Sequence, residues 1–323
     1  DCELSRGLGD VYKRQEKDYQ LYSSRVAWYY FKAGMTQAEI AEKLGLNRSR
    51  VINILNEARR DGTVSIHVQG KDAKLAKLEE ALKKVWNLRE VMVIPKVADK
   101  QLKENLSIAG AHFLETCFDQ RGGLVGLGWG HTVSGITMYL SRILPGKTEF
   151  VTLCGGVTQY LAESRTGNVG APLSGFYYPF HALPTPLLLS TKSLCENLLN
   201  ETEVQTVMEK ALRSEIALVG IGALMPNSEF VRFGYRSTEE LKTLKKEGAV
   251  GEMHGEYFDK SGEVLNLEHH DRLVTVKLGQ LKKMKHVIGI AGGSEKLDAI
   301  RGAISGGIIH SLITDETSAQ KLI

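Results

Sequence analysis

Apolar positions recur at two different periods along the chain, and the change of period divides it. From about Asp18 to Arg60 they fall three and four apart with glycine almost absent, the mark of short amphipathic helices. Leu75, Leu78, Leu82 and Val85 keep helical spacing within a Leu- and Lys-rich stretch from about Lys71 to Trp86. From Val91 onward short apolar runs take over: Val91 to Ile94, Leu124 to Leu127, Phe150 to Leu153, Ile216 to Ile221, Val274 to Leu278, Val287 to Ile290 and Ile308 to Thr314. Several lead at once into glycine and then into a helical pattern, which predicts parallel strands buried on both faces with crossover helices between them. The expected fold class is α/β: an N-terminal winged helix-turn-helix domain, then a larger, mostly parallel α/β domain.

Residues 36–60 read TQAEIAEKLGLNRSRVINILNEARR. Thr36 followed by Glu39 is a capping box, so a helix starts there with Ile40, Ala41 and Leu44 inward. Gly45 breaks it, and Asn47 is a good N-cap for a second helix whose inner positions are Val51, Ile54, Leu55 and Ala58. A small residue at the crossing (Ala41), a turn glycine and an apolar plug (Val51) are what a helix-turn-helix needs, in that order. The outward face of the second helix is expected to carry Arg48, Ser49, Arg50, Asn53 and Asn56, with Arg59 and Arg60 behind. Long donors and amides can read base edges in the major groove, so Thr36, Gln37, Asn47, Arg48, Ser49, Arg50 and Asn53 are the candidate DNA contacts. The bland alternative, a solvated charged face on a helical hairpin, fits any one arginine but not the coincidence of cap, turn glycine and plug. Thr63 to Val68 alternates like one wing strand, and a helix over about Tyr19 to Ala33 would pack Val26, Trp28, Tyr29 or Tyr30 beneath the pair.

Composition adds limits. With 323 residues, 42% apolar, 24% charged and 7 prolines, the chain is a globular protein of about two domains and not a disordered one. The net charge of +3 looks uninformative until it is placed. Residues 16–71 carry nine bases and six acids, whereas residues 72–323 carry 29 of each. The surplus therefore surrounds the predicted recognition helix. Cys2, Cys117, Cys154 and Cys195 are too scattered for a disulfide framework or a zinc site, so no metal and no cofactor are expected. No apolar run reaches membrane-spanning length and no signal-peptide order opens the chain, which predicts a cytoplasmic protein without a membrane partner. The expected organisation is a disordered tail or cloning scar at 1–15, a DNA-binding domain at 16–68, a linker helix at 69–90 and an effector domain at 91–323. The linker's leucine seam suits a short coiled coil in a dimer or a helix packed on its own C-terminal domain.

In the larger domain Gly126 to Gly135 (GLGWGHTVSG) stands before a helical stretch, Ile136 to Ile143. A glycine-rich loop opening a helix offers amides and the positive helix end to an anion, with Thr132 and Ser134 as hydroxyl donors. The loop is neither a P-loop nor a GxGxxG fingerprint, which excludes ATP and NAD. Cys154 to Val157, Gly220 to Ala223 and Ala291 to Lys296 are further glycine clusters at or just past strand ends. In an open parallel sheet such loops share one crevice, so Gly155, Gly156, Gly222, Gly292 and Gly293 are expected to line a single ligand site. Lys296 is the best cation for a phosphate there. Asp259, in a DKSG stretch that also suits a plain turn, is the candidate for sugar hydroxyls. His269, His270 and Asp271 look like a metal cluster but lack a third ligand at fitting spacing, so they read as structural.

These motifs, in order along the chain (MTQAEIAEKLGLNRSRVINIL, GLGWGHTV, TLCGGV, ALVGIGA, GAVGEMHGEYFDKSGEV, IGIAGGSEKLDAIRGAISGG and LITDETSA), resemble the SorC family of bacterial sugar-binding transcriptional regulators over about residues 20–323. The resemblance implies an effector domain related to sugar-phosphate isomerases and deaminases that keeps their crevice without their chemistry. It also implies a homo-oligomer, dimer or tetramer, binding operator DNA. Carried onto this chain, Gly130, His131, Thr132, Val133 and Lys296 would hold a phosphate, Asp259 would meet hydroxyls, and Glu163 to Phe180 would wall the pocket. The expected function is a transcriptional repressor of a carbohydrate-utilisation operon, its operator affinity changed by a small sugar or sugar phosphate. The competing reading is an isomerase- or deaminase-like enzyme with a fused helix-turn-helix, for which Glu256, Asp259 and His131 are the candidate bases.

Overall fold

The computed structural model describes residues 22–60, 63–64, 71–118, 122–140, 144, 147–156 and 178–323, without the side chains of residues 59, 60, 71 and 72. The expected tail, most of the wing run (65–68) and most of the expected pocket wall (163–177) lie outside those residues. The chain forms two compact units that divide between Gln69 and Gly70.

The first unit holds three helices: α1 (22–31), α2 (Gln37–Leu44) and α3 (Arg48–Arg60). Glu39 accepts from the Thr36 amide at 2.7 Å while its own amide donates to Thr36 Oγ1 at 3.3 Å, a complete capping box. Gly45 ends α2 at φ 65°, a left-handed conformation that costs glycine little. Asn47 Oδ1 accepts the Arg50 amide at 2.7 Å and so caps α3. Val26, Ile40, Ala41, Val51, Ile54 and Leu55 close into one core, with Tyr22, Tyr29 and Tyr30 packed at its edge. Trp28, a candidate for that core, is 58% exposed instead, because it falls on the outer side of α1 from Val26 and Tyr30.

The second unit opens with α4 (Lys71–Trp86) and is built on a seven-stranded sheet in the order β1-β10-β9-β5-β2-β3-β4, every pair parallel. Its strands are β1 (Val91–Ile94), β2 (Leu124–Leu127), β3 (Glu149–Thr152), β4 (Phe180–His181), β5 (Ile216–Gly220), β9 (Val287–Ile290) and β10 (Ser311–Asp315). Alternate residues feed two cores. Val91, Val93, Ala217, Val219, Val287 and Leu312 point to one face, and Ile94, Ile216, Leu218, Ile288, Ile290 and Ile313 to the other. A strand buried on both faces must be apolar at every position, which is why continuous runs and not alternation marked these strands. On one side lie α5 (Asp99–Cys117) and α6 (His131–Tyr139); on the other, α4, α12 (Leu297–Ser305) and α13 (Glu316–Leu322). Between β3 and β9 come α7 (Lys192–Leu199), α8 (Thr202–Leu212), α9 (Glu229–Arg232) and α10 (Thr238–Lys246); α11 (Leu278–Leu281) precedes β9. A three-stranded antiparallel sheet of β6 (Gly222–Ala223), β7 (Gly251–Met253) and β8 (Glu256–Phe258) completes the unit.

One expectation is corrected, and of the two readings of the α4 seam the packing on its own domain is found. The run Val274 to Leu278 is not a strand of the main sheet: Thr275 makes a single antiparallel bridge to Cys154, and α11 begins at Leu278. The leucine seam of α4 is spent inside its own unit, Leu75 and Leu82 being buried in the main core, while Val85 is exposed. A coiled coil through that seam would compete with this packing. Helix α4 is also stitched to the C-terminus: the Trp86 indole donates to the Leu322 carbonyl at 2.8 Å, and Lys74 pairs with Glu316 at 2.5 Å. Glu79 Oε1 accepts the Val93 amide at 2.8 Å, satisfying a donor on the edge strand β1. No helix among the described residues is long and apolar enough to cross a membrane.

Candidate ligand-binding site

The sheet order reverses between β2 and β5. The chain runs from β2 outward through β3 and β4, then returns to β5 on the opposite side of β2 and continues through β9 and β10. Loops leaving adjacent strands in opposite directions part there, and the gap beyond the carboxyl ends is where doubly wound sheets bind ligands. A cavity of about 150 Å³ occupies this gap. Of the eleven residues expected to bind an effector, Gly130, His131, Thr132, Val133, Gly222 and Lys296 line it.

One wall is the start of α6. Gly130 takes the N-cap position at φ 127° and supplies no side chain to the first-turn amides. Ser107 Oγ on α5 donates to the Thr132 carbonyl at 2.8 Å and fixes this turn. The helix begins at His131, five residues before the expected start, so Thr132 lies in its first turn and not in a preceding loop. A carboxylate already stands here. Glu229 Oε2 accepts from the His131 amide at 3.4 Å, the other carboxylate oxygen lies 3.5 Å from Lys103 Nζ, and Arg232 meets the His131 ring.

The opposite wall comes from β5, β7 and the Gly293 turn. Lys296 Nζ donates to the Ile221 carbonyl at 2.9 Å. Burial pushes its ammonium below the usual lysine range, against the pull of Glu229 and Glu252. Burial also pushes the Glu252 carboxyl up to about 7, although the Gly255 amide donates to it at 3.2 Å. Glu252 is seated because Gly222 lacks a side chain: a Cβ there would stand 1.9 Å from Glu252 Oε1. Beside it His254 is 2% exposed at φ 52°. Burial drives its imidazole down to about 4, the Val276 carbonyl favouring the protonated form only weakly.

Five expected effector contacts lie outside the lining. Gly155 and Gly156 pack under the segment Thr185 to Leu187, where a Cβ on Gly155 would come within 2.3 Å of the Pro186 carbonyl oxygen. Their glycine character answers this close approach. Gly293 donates its amide to Asp315 Oδ1 at 2.9 Å, and a Cβ on Gly292 would fall 2.7 Å from the same oxygen. That pair shapes the turn that delivers Lys296. Asp259 closes a surface turn, its Oδ1 accepting from the Ser261 amide (2.8 Å), the Ser261 hydroxyl (2.6 Å) and the Glu263 amide (3.1 Å). The turn reading of DKSG is the right one. His269 and His270 are packing groups: His270 Nε2 accepts the Tyr257 amide at 3.1 Å, His269 Nε2 lies 3.1 Å from the Gly255 carbonyl, and burial lowers the His269 ring to about 4 and the His270 ring to about 3.

Sequence reasoning missed Lys103, Ser228, Glu229, Glu252, His254 and Glu295 in the lining. Glu252 and His254 stand in the motif GAVGEMHGEYFD, directly before a glycine. Nothing in the local pattern told which of its polar side chains turns inward.

In the first unit Thr36, Gln37 and Arg48 border one hollow together with Tyr30 and Met35, so the starts of α2 and α3 come together. Asn47, Ser49 and Asn53 are exposed. Arg50 is not on the outward face: it is 8% exposed, on the shoulder of the apolar stripe beside Val51 and one turn from Ile54.

Comparison with known proteins agrees with both units. The family model described as "Putative sugar-binding domain" matches residues 71–323. The transcriptional regulator LsrR of Escherichia coli (strain K12) is 32% identical over 304 residues, 93% of each chain. The erythritol catabolism regulatory protein EryD of Brucella abortus (strain 2308) is 30% identical over 301 residues, 93% of this chain and 95% of that one. In fold, the full-length sorbitol operon regulator SorC of Klebsiella pneumoniae superimposes with a TM-score of 0.67 at 23% identity, covering 93% of this chain and 97% of that one. With the matching domain and full-length relatives of this kind, the chain belongs to the SorC-type family of sugar-binding transcriptional regulators.

Proposed function

We propose that the protein is a repressor of a carbohydrate-utilisation operon whose hold on operator DNA is released by a small sugar phosphate bound in the β2/β5 cavity. The observation that carries this reading is the cavity itself: the start of α6 at Gly130 to Val133, where Glu229 accepts from the His131 amide, faces Lys296 at a topological switch point. The exposed Arg48, Ser49 and Asn53 at the start of a capped second helix supply the DNA-reading surface, with Thr36 and Gln37 positioned for the backbone. The surplus of positive charge in residues 16–71 supports that assignment. A dimer or tetramer in the cytoplasm, presenting paired recognition helices to a two-fold operator, completes the reading. The ligand shifts operator affinity only by as much as it prefers one conformation over the other.

Gel-shift titration on DNA flanking the protein's own gene, with and without a panel of pentose and hexose phosphates, tests it. Salt-sensitive binding weakened by one member of the panel is expected, and no binding at any salt concentration overturns it. One observation speaks for the isomerase-like alternative, namely a cavity carboxyl, Glu252, held near neutrality where a general base works best. Turnover of the same phosphates above background in an aldose–ketose assay would decide for it.

A further inference from the structure

Three groups that attract an anion to the cavity already act on one carboxylate of the protein. Glu229 Oε2 accepts from the His131 amide at 3.4 Å, and its Oε1 lies 3.5 Å from Lys103 Nζ. Among the carboxylates that oppose the burial of Lys296, Glu229 also acts most strongly, ahead of Glu252 and Glu295. His131, Lys103, Lys296 and Glu229 all line the cavity. Helix α6 has a glycine at its N-cap, and its capping oxygen is brought from a distant part of the chain: Glu229 Oε2 stands 3.5 Å from where a Gly130 side chain would begin. We infer that Glu229 is an internal competitor for the effector: its carboxylate holds the anion-binding end of the cavity, and a phosphate binds there by displacing it. The inference rests on the sugar-phosphate reading of the cavity and concerns the regulation of that site.

The packing around Glu229 fixes its backbone and leaves its side chain as the movable part. Phe230, the next residue, is buried and meets the Trp129 ring edge-on at 4.8 Å between centroids, with Tyr235 at 5.5 Å and Tyr257 at 6.3 Å. Trp129 directly precedes Gly130, so aromatic packing clamps the loop that opens α6 to the helix that supplies its cap. The contacts of the carboxylate itself are long, and its partner Lys103 is exposed, so solvent screens the pair. A phosphate monoester brings about two negative charges and three acceptor oxygens, against the single charge of Glu229. It therefore outcompetes the carboxylate for the same groups. A competitor of this kind lowers the apparent affinity by the fraction of molecules in which the site is uncovered, and so sets how much ligand a response requires.

The test is isothermal titration of the full chain with inorganic phosphate, ribose 5-phosphate and fructose 6-phosphate, on the wild-type protein, Glu229→Ala, Glu229→Gln and Glu295→Gln, with thermal melts to verify folding. Glu229→Ala is expected to bind inorganic phosphate and at least one sugar phosphate about three- to tenfold tighter than the wild-type protein. Glu229→Gln, which keeps an acceptor for the His131 amide without the charge, should also tighten binding, and it carries the test if the alanine variant does not fold. Glu295 lines the same cavity, so Glu295→Gln measures what the removal of any nearby negative charge does. Its effect should stay within about twofold. A lower melting temperature in the Glu229 variants is expected from the loss of a helix cap, and the direction of the change in affinity is what separates competition from capping alone. Binding that is unchanged or weaker in folded Glu229→Ala and Glu229→Gln, or tightened as much by Glu295→Gln, overturns the inference and leaves the sugar-phosphate reading intact. Failure of all three phosphates to bind any of the four proteins overturns both.

Discussion

Glu229 Oε2 stands 3.4 Å from the His131 amide that opens α6, so a carboxylate of the protein occupies the place where the helix end would meet an anion. With Lys103 at 3.5 Å from the same side chain, the site is balanced before any ligand arrives. An incoming phosphate must displace Glu229 or share its donors. Glu229→Gln should therefore tighten binding of inorganic phosphate and of sugar phosphates several-fold, in line with the roughly 0.3–1 kcal/mol that a helix N-terminus gives an anion. Titration calorimetry measures it, and weaker binding by the variant would show that Glu229 assists the ligand.

Lys296 faces the ligand from the other wall. Lys296→Met keeps the length and apolar stem of the side chain, removes a buried charge and leaves the Ile221 carbonyl without its donor. Anion affinity should drop about tenfold or more, the worth of one charge-assisted hydrogen bond at about 1.5–3 kcal/mol. Operator binding without ligand should be unaffected in the same gel shifts. Parallel loss of both properties would mean that the lysine supports the fold instead of the response.

The pH dependence of stability follows from opposed groups. His254, His269 and His270 have ring pKa values lowered from 6.5 to about 4, about 4 and about 3, so the stability tied to their neutral forms is full above 6.5 and is lost as pH falls through these values. Glu252 runs the other way: its pKa rises from 4.5 to about 7, so its contribution is full below 4.5 and lost as pH climbs through 7. Between pH 7 and 5 the histidines destabilise and Glu252 partly offsets them. Glu252→Gln should consequently lose more melting temperature than the wild-type protein on going from pH 7 to 5. An equal or smaller loss would remove Glu252 from the balance.

Arg48 and Arg50 are two residues apart and should fail differently. Arg48 is exposed at the first turn of α3, so Arg48→Ala should weaken specific operator binding by about 1–3 kcal/mol if it makes a bidentate base contact, with the melting temperature unchanged. Arg50 is buried, so Arg50→Ala should show first as a lower melting temperature of the N-terminal unit. Thr36→Ala, which removes the capping box, should cost the same unit about 1 kcal/mol. Melting curves and binding isotherms on the three variants separate these effects.

Much of the strand set was legible because burial on both faces leaves no freedom at those positions: Val91–Ile94, Leu124–Leu127 and Val287–Ile290 occur as the apolar runs delimit them. The run at Val274 misled because an irregular segment threaded through the core needs the same composition as a strand. The site was legible where a backbone constraint writes itself into sequence, at Gly130 and Gly222. It was not legible at Glu229, Glu252 and His254, whose arrival in the cavity depends on the order of strands in the sheet. Glycines 155 and 156 showed the converse, a conspicuous motif that serves close packing.

Asp315 and Glu316 are neighbours at the end of β10, and they hold different things. Asp315 grips the amide of Gly293, in the turn that carries Lys296. Glu316 grips Lys74, in the opening helix of the same unit. One dipeptide at the end of β10 thus holds both the turn that carries Lys296 and the helix with which the large unit begins.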